Sequence, residues 1–123
     1  MLALAACGSA ASTGSTTGRV TVRWRDKGHT VNVSRGTHIL VKLSNTYWHV
    51  SRSSNRAVIR KRGKTVRREG GTCPPGVGCG TTIARFLAVG NGTAHIRAWR
   101  TSCGEALKCT HGQGRYDVAI RVS

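Results

Sequence analysis

Between residues 82 and 100 polar and apolar residues alternate over two runs, and the runs are separated by Gly90-Asn91-Gly92. Alternation over that length marks half-buried β-strands, whose side chains point to opposite faces with a period of two. Glycine and asparagine tolerate positive φ, so this break predicts a tight turn and a hairpin. The expected core face is Ala84, Phe86 and Ala88 on the first strand and Ala94, Ile96 and Ala98 on the second. His95, Arg97 and Trp99 then lie on the opposite face.

Cysteines bracket this unit. Cys73 and Cys79 precede it and Cys103 and Cys109 follow it, each pair with five residues between. Four cysteines allow three connectivities. The local pairs Cys73–Cys79 and Cys103–Cys109 are favoured, each stapling one loop, and a cross-link between the two loops also fits. A zinc site is the rival reading, but the spacing is not that of a C-x2-C knuckle and His111 is the nearby histidine.

The rest of the chain repeats the pattern. Residues 19–25 alternate, with Val20, Val22 and Trp24 on one face. Residues 30–33 and 37–43 follow, the latter with Ile39, Val41 and Leu43 inward. Residues 46–50 form the next strand, with Trp48 and Val50 in the core. Residues 57–59 read as a short strand and Lys61-Arg62-Gly63-Lys64 as a hairpin turn. Residues 115–122 form the last strand, with Tyr116, Val118, Ile120 and Val122 inward, pairing with 93–100. With about seven to nine strands, turns every 8–12 residues and a strand tryptophan, the expected fold is all-β: an antiparallel immunoglobulin-like β-sandwich with two disulfide-stapled loops.

The chain has 123 residues and a net charge of +16, from 20 Lys and Arg against 4 Asp and Glu. That length fits one domain, here residues 19–123. A field of that sign attracts polyanions. Arg60, Lys61, Arg62 and Lys64 lie in its most basic stretch and serve either as an anion-binding strip or as a charged edge that discourages strand pairing. No apolar run reaches the 18 residues of a membrane span.

At the front, Leu4-Ala5-Ala6-Cys7 followed by Gly8-Ser9 resembles the cleavage site of bacterial lipoproteins. The resemblance implies that Cys7 is lipidated, that residues 1–7 are the remnant of a signal whose start lies upstream, and that residues 8–18 are a flexible tether. Removing Cys7 from five cysteines leaves four to pair. The expected location is the extracellular face of the cell membrane, or secretion.

Two further resemblances concern the domain. Residues 47–58, YWHVSRSSNRAV, and 92–98, GTAHIRA, resemble bacterial Ig-like (Big-type) domains, surface modules without catalytic residues. Residues 30–122 are similar in layout to chagasin-type inhibitors of papain-like cysteine proteases, in which three loops at one end of the sandwich enter the protease cleft. Those loops map onto residues 44–46, 73–80 and 100–114. The first loop is shorter than the family's N-P-T-T-G-[YF], and Trp99-Arg100 with a cysteine ring replaces its R-P-W. The Gly-rich second loop is kept in Gly76-Val77-Gly78-Cys79-Gly80.

Nothing in the sequence points to catalysis. The acids Asp26, Glu69, Glu105 and Asp117 form no acid/base pair, no serine lies in a nucleophile elbow, and no Gly-rich loop opens a helix. No cofactor and no metal are expected. The leading expectation is a lipid-anchored, non-enzymatic binding module, monomeric, whose outer face of His95, Arg97, Trp99 and Arg121 meets an extracellular protein or an anionic envelope polymer. Exposed tryptophan beside arginine is a frequent recognition pair. The alternatives are a chagasin-like inhibitor acting through its loops and a charge-driven polyanion binder. Sequence-specific nucleic-acid binding is not expected, because no recognition motif is present.

Overall fold

Alternating apolar residues become two facing sheets when each strand buries one side against the other sheet. The computed structural model describes residues 18–71, 78–103 and 108–123. They form eight strands: β1 (Arg19–Val22), β2 (Thr30–Val33), β3 (His38–Ser44), β4 (His49–Val50), β5 (Ile59–Arg68), β6 (Thr81–Ala88), β7 (Gly92–Trp99) and β8 (Arg115–Val122). One sheet has the order β1-β3-β6-β5 and the other β2-β8-β7-β4. The expected sandwich is therefore present. Cys7, Cys73 and the expected tether up to residue 17 lie outside the described residues, as does Glu105.

The inward faces are those read from the alternation. Ala84, Phe86, Ala88, Ala94, Ile96 and Ala98 are all buried, together with Trp48, Tyr116, Val118 and Ile120. Residues 82–100 are nevertheless not a hairpin. β6 pairs with β3 and β5, whereas β7 pairs with β4 and β8. Gly90 and its neighbours carry the chain from one sheet to the other, and the N–H groups of Val89 and Gly90 donate to the Val58 carbonyl. Gly90 passes so close to the Ala57 carbonyl oxygen that a Cβ would collide with it. Period-two patterning reports which face is buried; it does not report which strand is the hydrogen-bonded neighbour.

Two pairings are parallel, β1 with β3 and β2 with β8. After β1 the chain crosses to the second sheet for β2, then returns to lie beside β1 as β3. The two crossings reverse its direction twice, so the sandwich is antiparallel inside and parallel at one edge of each sheet.

Three local expectations are corrected. The first strand stops at Val22, because Asp26 Oδ2 accepts from the Arg23 N–H at 2.8 Å and closes a 3-10 turn over Trp24–Asp26. Trp24 thus leaves the core and is 44% exposed. Residues 46–50 are extended as a strand over His49–Val50 only, although Trp48 is buried as expected. Lys61-Arg62-Gly63-Lys64 is not a turn. β5 runs through it, with Arg62 opposite Arg85 and Val66 opposite Ile83. Four residues of β5 there span two of β6, and the excess is taken up in a bulge at Gly63, whose φ is +71°. Such a bulge keeps the alternation in phase on both sides.

Candidate functional site at the loop end

The outer face of the β2-β8-β7-β4 sheet carries the residues expected to bind. His95, Arg97 and Trp99 alternate outward on β7, and His49 lies opposite Trp99 with its ring stacked on the indole at 5.4 Å. Trp99 remains 48% exposed. Arg121 is on the same face but opposite Thr93, six residues along β7 from Trp99. That is about 20 Å at the rise of a strand, so the tryptophan and Arg121 are not one site. Asp117 lies opposite Arg97 on the same face. It accepts from Arg97 Nε at 2.8 Å and lies 2.7 Å from His95 Nδ1. Partial burial opposes ionisation of this carboxyl, but the two hydrogen bonds and charges outweigh it and hold the group below its ordinary range. Two of the four residues expected to bind on this face, His95 and Arg97, are thereby engaged within the sheet.

On β5, Arg60, Arg62 and Lys64 are exposed, while Lys61 lies opposite buried Phe86 and so projects from the inner side of the edge strand. The described residues contain no group of three or more possible metal ligands.

The opposite kind of surface forms at one end of the sandwich, where the links β3–β4, β5–β6 and β7–β8 emerge together. The β3–β4 link is four residues, 45–48, and it is fastened from several sides. Asn45 adopts φ +90°, a conformation asparagine tolerates, and its Oδ1 accepts from the Tyr47 N–H at 2.7 Å. The Asn45 and Thr46 N–H groups donate to the carbonyls of Gly80 and Gly78, at 2.8 and 2.9 Å. Thr82 Oγ1 donates to the Asn45 carbonyl, and Trp48 Nε1 to that of Ser44. Arg67, on the inner side of β5, donates from Nε to the Thr46 carbonyl at 3.0 Å and from Nη2 to that of Trp48 at 2.8 Å.

The β5–β6 link is held by the same bonds. Gly78 has positive φ, and a Cβ there would lie 2.5 Å from the Tyr47 ring. Only glycine permits this approach of the second loop to the first. Cys79 is disulfide-bonded, as expected; the pairing with Cys73 lies outside the described residues.

The β7–β8 link is closed by the expected Cys103–Cys109 disulfide. Ser102, just before the ring, forms an antiparallel β-bridge with Lys108 within it, and the Cys109 N–H donates to the Thr101 carbonyl. The base of the loop is tied by the Arg100 N–H to the Gly114 carbonyl, and by Arg100 Nε to the Gln113 carbonyl at 3.1 Å.

Aromatic and cationic side chains join the β3–β4 and β7–β8 loops to the turn between β1 and β2. The Arg100 guanidinium lies over the Trp48 ring at 4.5 Å, Trp48 meets Trp24 at 5.8 Å, and Lys27 lies over Trp24 at 4.5 Å while donating to the Gly112 carbonyl. Tyr116, packed against Trp24, donates its hydroxyl to the Arg23 carbonyl at 2.9 Å; burial, then the nearby Asp26 charge, raises its pKa well above the ordinary tyrosine value. A hollow of about 500 Å³ opens among these groups, lined by Trp24, Asn45, Trp48, Gly78, Gly80 and Arg100 among others. Its described residues form a braced, amphipathic edge at this end of the sandwich.

No protein-family model and no curated protein matches the sequence. Solved structures do match in fold. The chain is similar to the cysteine protease inhibitor EhICP2 of Entamoeba histolytica, with a TM-score of 0.61, 7% identity and coverage of 85% of this chain and 96% of that one. It is similar to amebosin, whose solution structure superposes with a TM-score of 0.59 at 11% identity, covering 85% of this chain and 98% of that one.

Proposed function

We propose that this protein is a non-covalent inhibitor of a papain-type cysteine protease, entering the active-site cleft with the three loops at one end of the sandwich. The observation that carries the proposal is their mutual bracing. Asn45 and Thr46 are hydrogen-bonded to Gly78 and Gly80, and Arg100 is stacked on Trp48. Contacts already made between these described residues before binding reduce the entropy lost on binding. The fold shared with EhICP2, itself a cysteine protease inhibitor, supports the same reading. The oxidised Cys79 and the Cys103–Cys109 bridge support a site of action outside the reducing cytoplasm. Lipidation of Cys7 would hold the inhibitor at the cell surface, and intact mass of protein from a native membrane fraction tests that point separately.

The test of the inhibitory reading is titration of active papain and cathepsin-type enzymes with the folded, oxidised protein, following hydrolysis of a peptide substrate. The expected result is reversible inhibition at nanomolar concentration, competitive with substrate and weakened by Tyr47→Ala in the first loop. Failure to inhibit any of several papain-like proteases at micromolar concentration would overturn it.

A further inference from the structure

Away from the loop end, the edges of the two sheets meet along a seam. β5 is the last strand of one sheet and β4 the last of the other. Between them runs an open groove of about 580 Å³, lined by Val50 of β4, by Arg52, Ser53 and Arg56 of the segment that follows, and by residues 60–63 of β5. Five of those eight residues are cationic and none is acidic. The ion pairs among the described residues are those of Asp117 with His95 and Arg97, so among those residues no acid pairs with the seam's cations. We infer that this seam is a second binding site, for an acidic polysaccharide, held by Arg52, Arg56, Arg60, Lys61 and Arg62.

Three features decide the class of ligand. Four of the five cations are arginine, whose planar fork binds carboxylate or sulfate through two parallel hydrogen bonds. The cations follow the strand edge: Arg60 and Arg62 project from one side of β5, about 7 Å apart at the rise of a strand, and Lys61 from the other. That arrangement suits charges repeated along a linear chain. The lining contains no aromatic ring. Single-stranded nucleic acid is usually held by a basic groove together with aromatic stacking platforms, and this groove lacks them. Its one apolar residue, Val50, leaves little for a lipid surface to bury. Burial, then the neighbouring Arg67 charge, lowers the pKa of Lys61, and an anion bound in the groove would raise it.

The probe is a size-defined heparin octasaccharide, with binding measured by titration calorimetry at three salt concentrations. A thymidine oligonucleotide of equal charge and vesicles with anionic headgroups are the comparison ligands. One variant combines Arg52→Gln, Arg56→Gln and Lys61→Gln. The control removes the same charge elsewhere, with Arg19→Gln, Arg35→Gln and Arg121→Gln. The expected result is saturable binding of the octasaccharide that weakens with salt. The seam variant should lose at least about tenfold in affinity, or ~1.4 kcal/mol, and the control under about threefold. Equal losses in both variants would show that diffuse net charge does the binding, and would overturn the proposal. So would tighter binding of the oligonucleotide or the vesicles, or absence of octasaccharide binding. Thermal melts of both variants verify folding; should the seam variant not fold, Arg52→Gln/Arg56→Gln, away from the strand, is measured against Arg19→Gln/Arg35→Gln with the same expected contrast in direction.

Discussion

Arg67 reaches from β5 to the first loop and tests whether loop order underlies function. In Arg67→Met two donors vanish, one to the Thr46 carbonyl and one to the Trp48 carbonyl. Hydrogen bonds from charged groups contribute about 1.5–3 kcal/mol each when sheltered. Arg67 is exposed, so solvent replaces part of each bond and each contributes less than that range, about 1 kcal/mol. The substitution also removes the charge that disfavours protonation of Lys61, which offsets part of the loss. A net cost of roughly 1–2 kcal/mol follows, or a fall in Tm of about 4–16 °C for a domain near 100 residues. The loop proposed to enter the cleft loses its anchor as well, so on that proposal inhibition should weaken by more than about tenfold, read as a faster dissociation rate. The Lys61 ammonium, followed by NMR, should titrate at higher pH than in the parent protein. A variant that melts earlier yet inhibits papain with unchanged affinity would refute the claim that the braced loop is the binding element. A variant with unchanged Tm would refute the assignment of these two bonds as stabilising.

Other residues give independent readings. Replacing Cys103 and Cys109 by serine opens a ring of sequence separation 6; the loop-entropy estimate puts the loss at roughly 2 kcal/mol, and inhibition should fall with it, both checked by comparing the double variant with the oxidised parent. Tyr116→Phe removes the hydroxyl that donates to the Arg23 carbonyl and should lower stability by about 1 kcal/mol, read as a lower urea midpoint at unchanged m-value. Asp117 has a folded-state pKa below its unfolded value, so the stability it contributes is fully present above about pH 4 and is lost as pH falls through the lower folded pKa. In Asp117→Asn that acid-side loss should flatten while neutral-pH stability drops modestly, because the carboxylate is well exposed.

Much of this protein is visible in its residue order, and the reason is local. Burial alternates with a period of two along any strand that has one wet face, so Ala84, Phe86, Ala94 and Ile96 declare themselves as core without reference to their neighbours. The same holds for Tyr116, Val118 and Ile120, and for the six-residue separation that brings Cys103 to Cys109. What alternation does not encode is the identity of the partner strand. Gly90-Asn91-Gly92 has the composition of a hairpin turn, yet its N–H neighbours are taken by the Val58 carbonyl, and the two strands go to different sheets. Gly63 looks like a turn residue and acts as a bulge, because β6 continues alongside and supplies hydrogen-bond partners on both sides of it. Trp24 keeps the apolar phase of its strand but leaves the core when Asp26 closes the chain into a 3-10 turn.

The candidate site divides along the same line. The tendency of Asn45, Gly78 and Gly80 to form tight loops resides in the residues themselves, through positive φ and small size. Their convergence depends on the order in which strands enter two sheets, which sets three chain links at one end. Among twenty basic residues, nothing local marks Arg67 as the brace of the first loop, Arg100 as the cover of Trp48, or Arg52 and Arg56 as the wall of a groove. Charge and alternation are properties of the chain alone; which cation meets a carbonyl, a ring or only water is decided by contacts between residues far apart in sequence, and those exist only once the two sheets have packed.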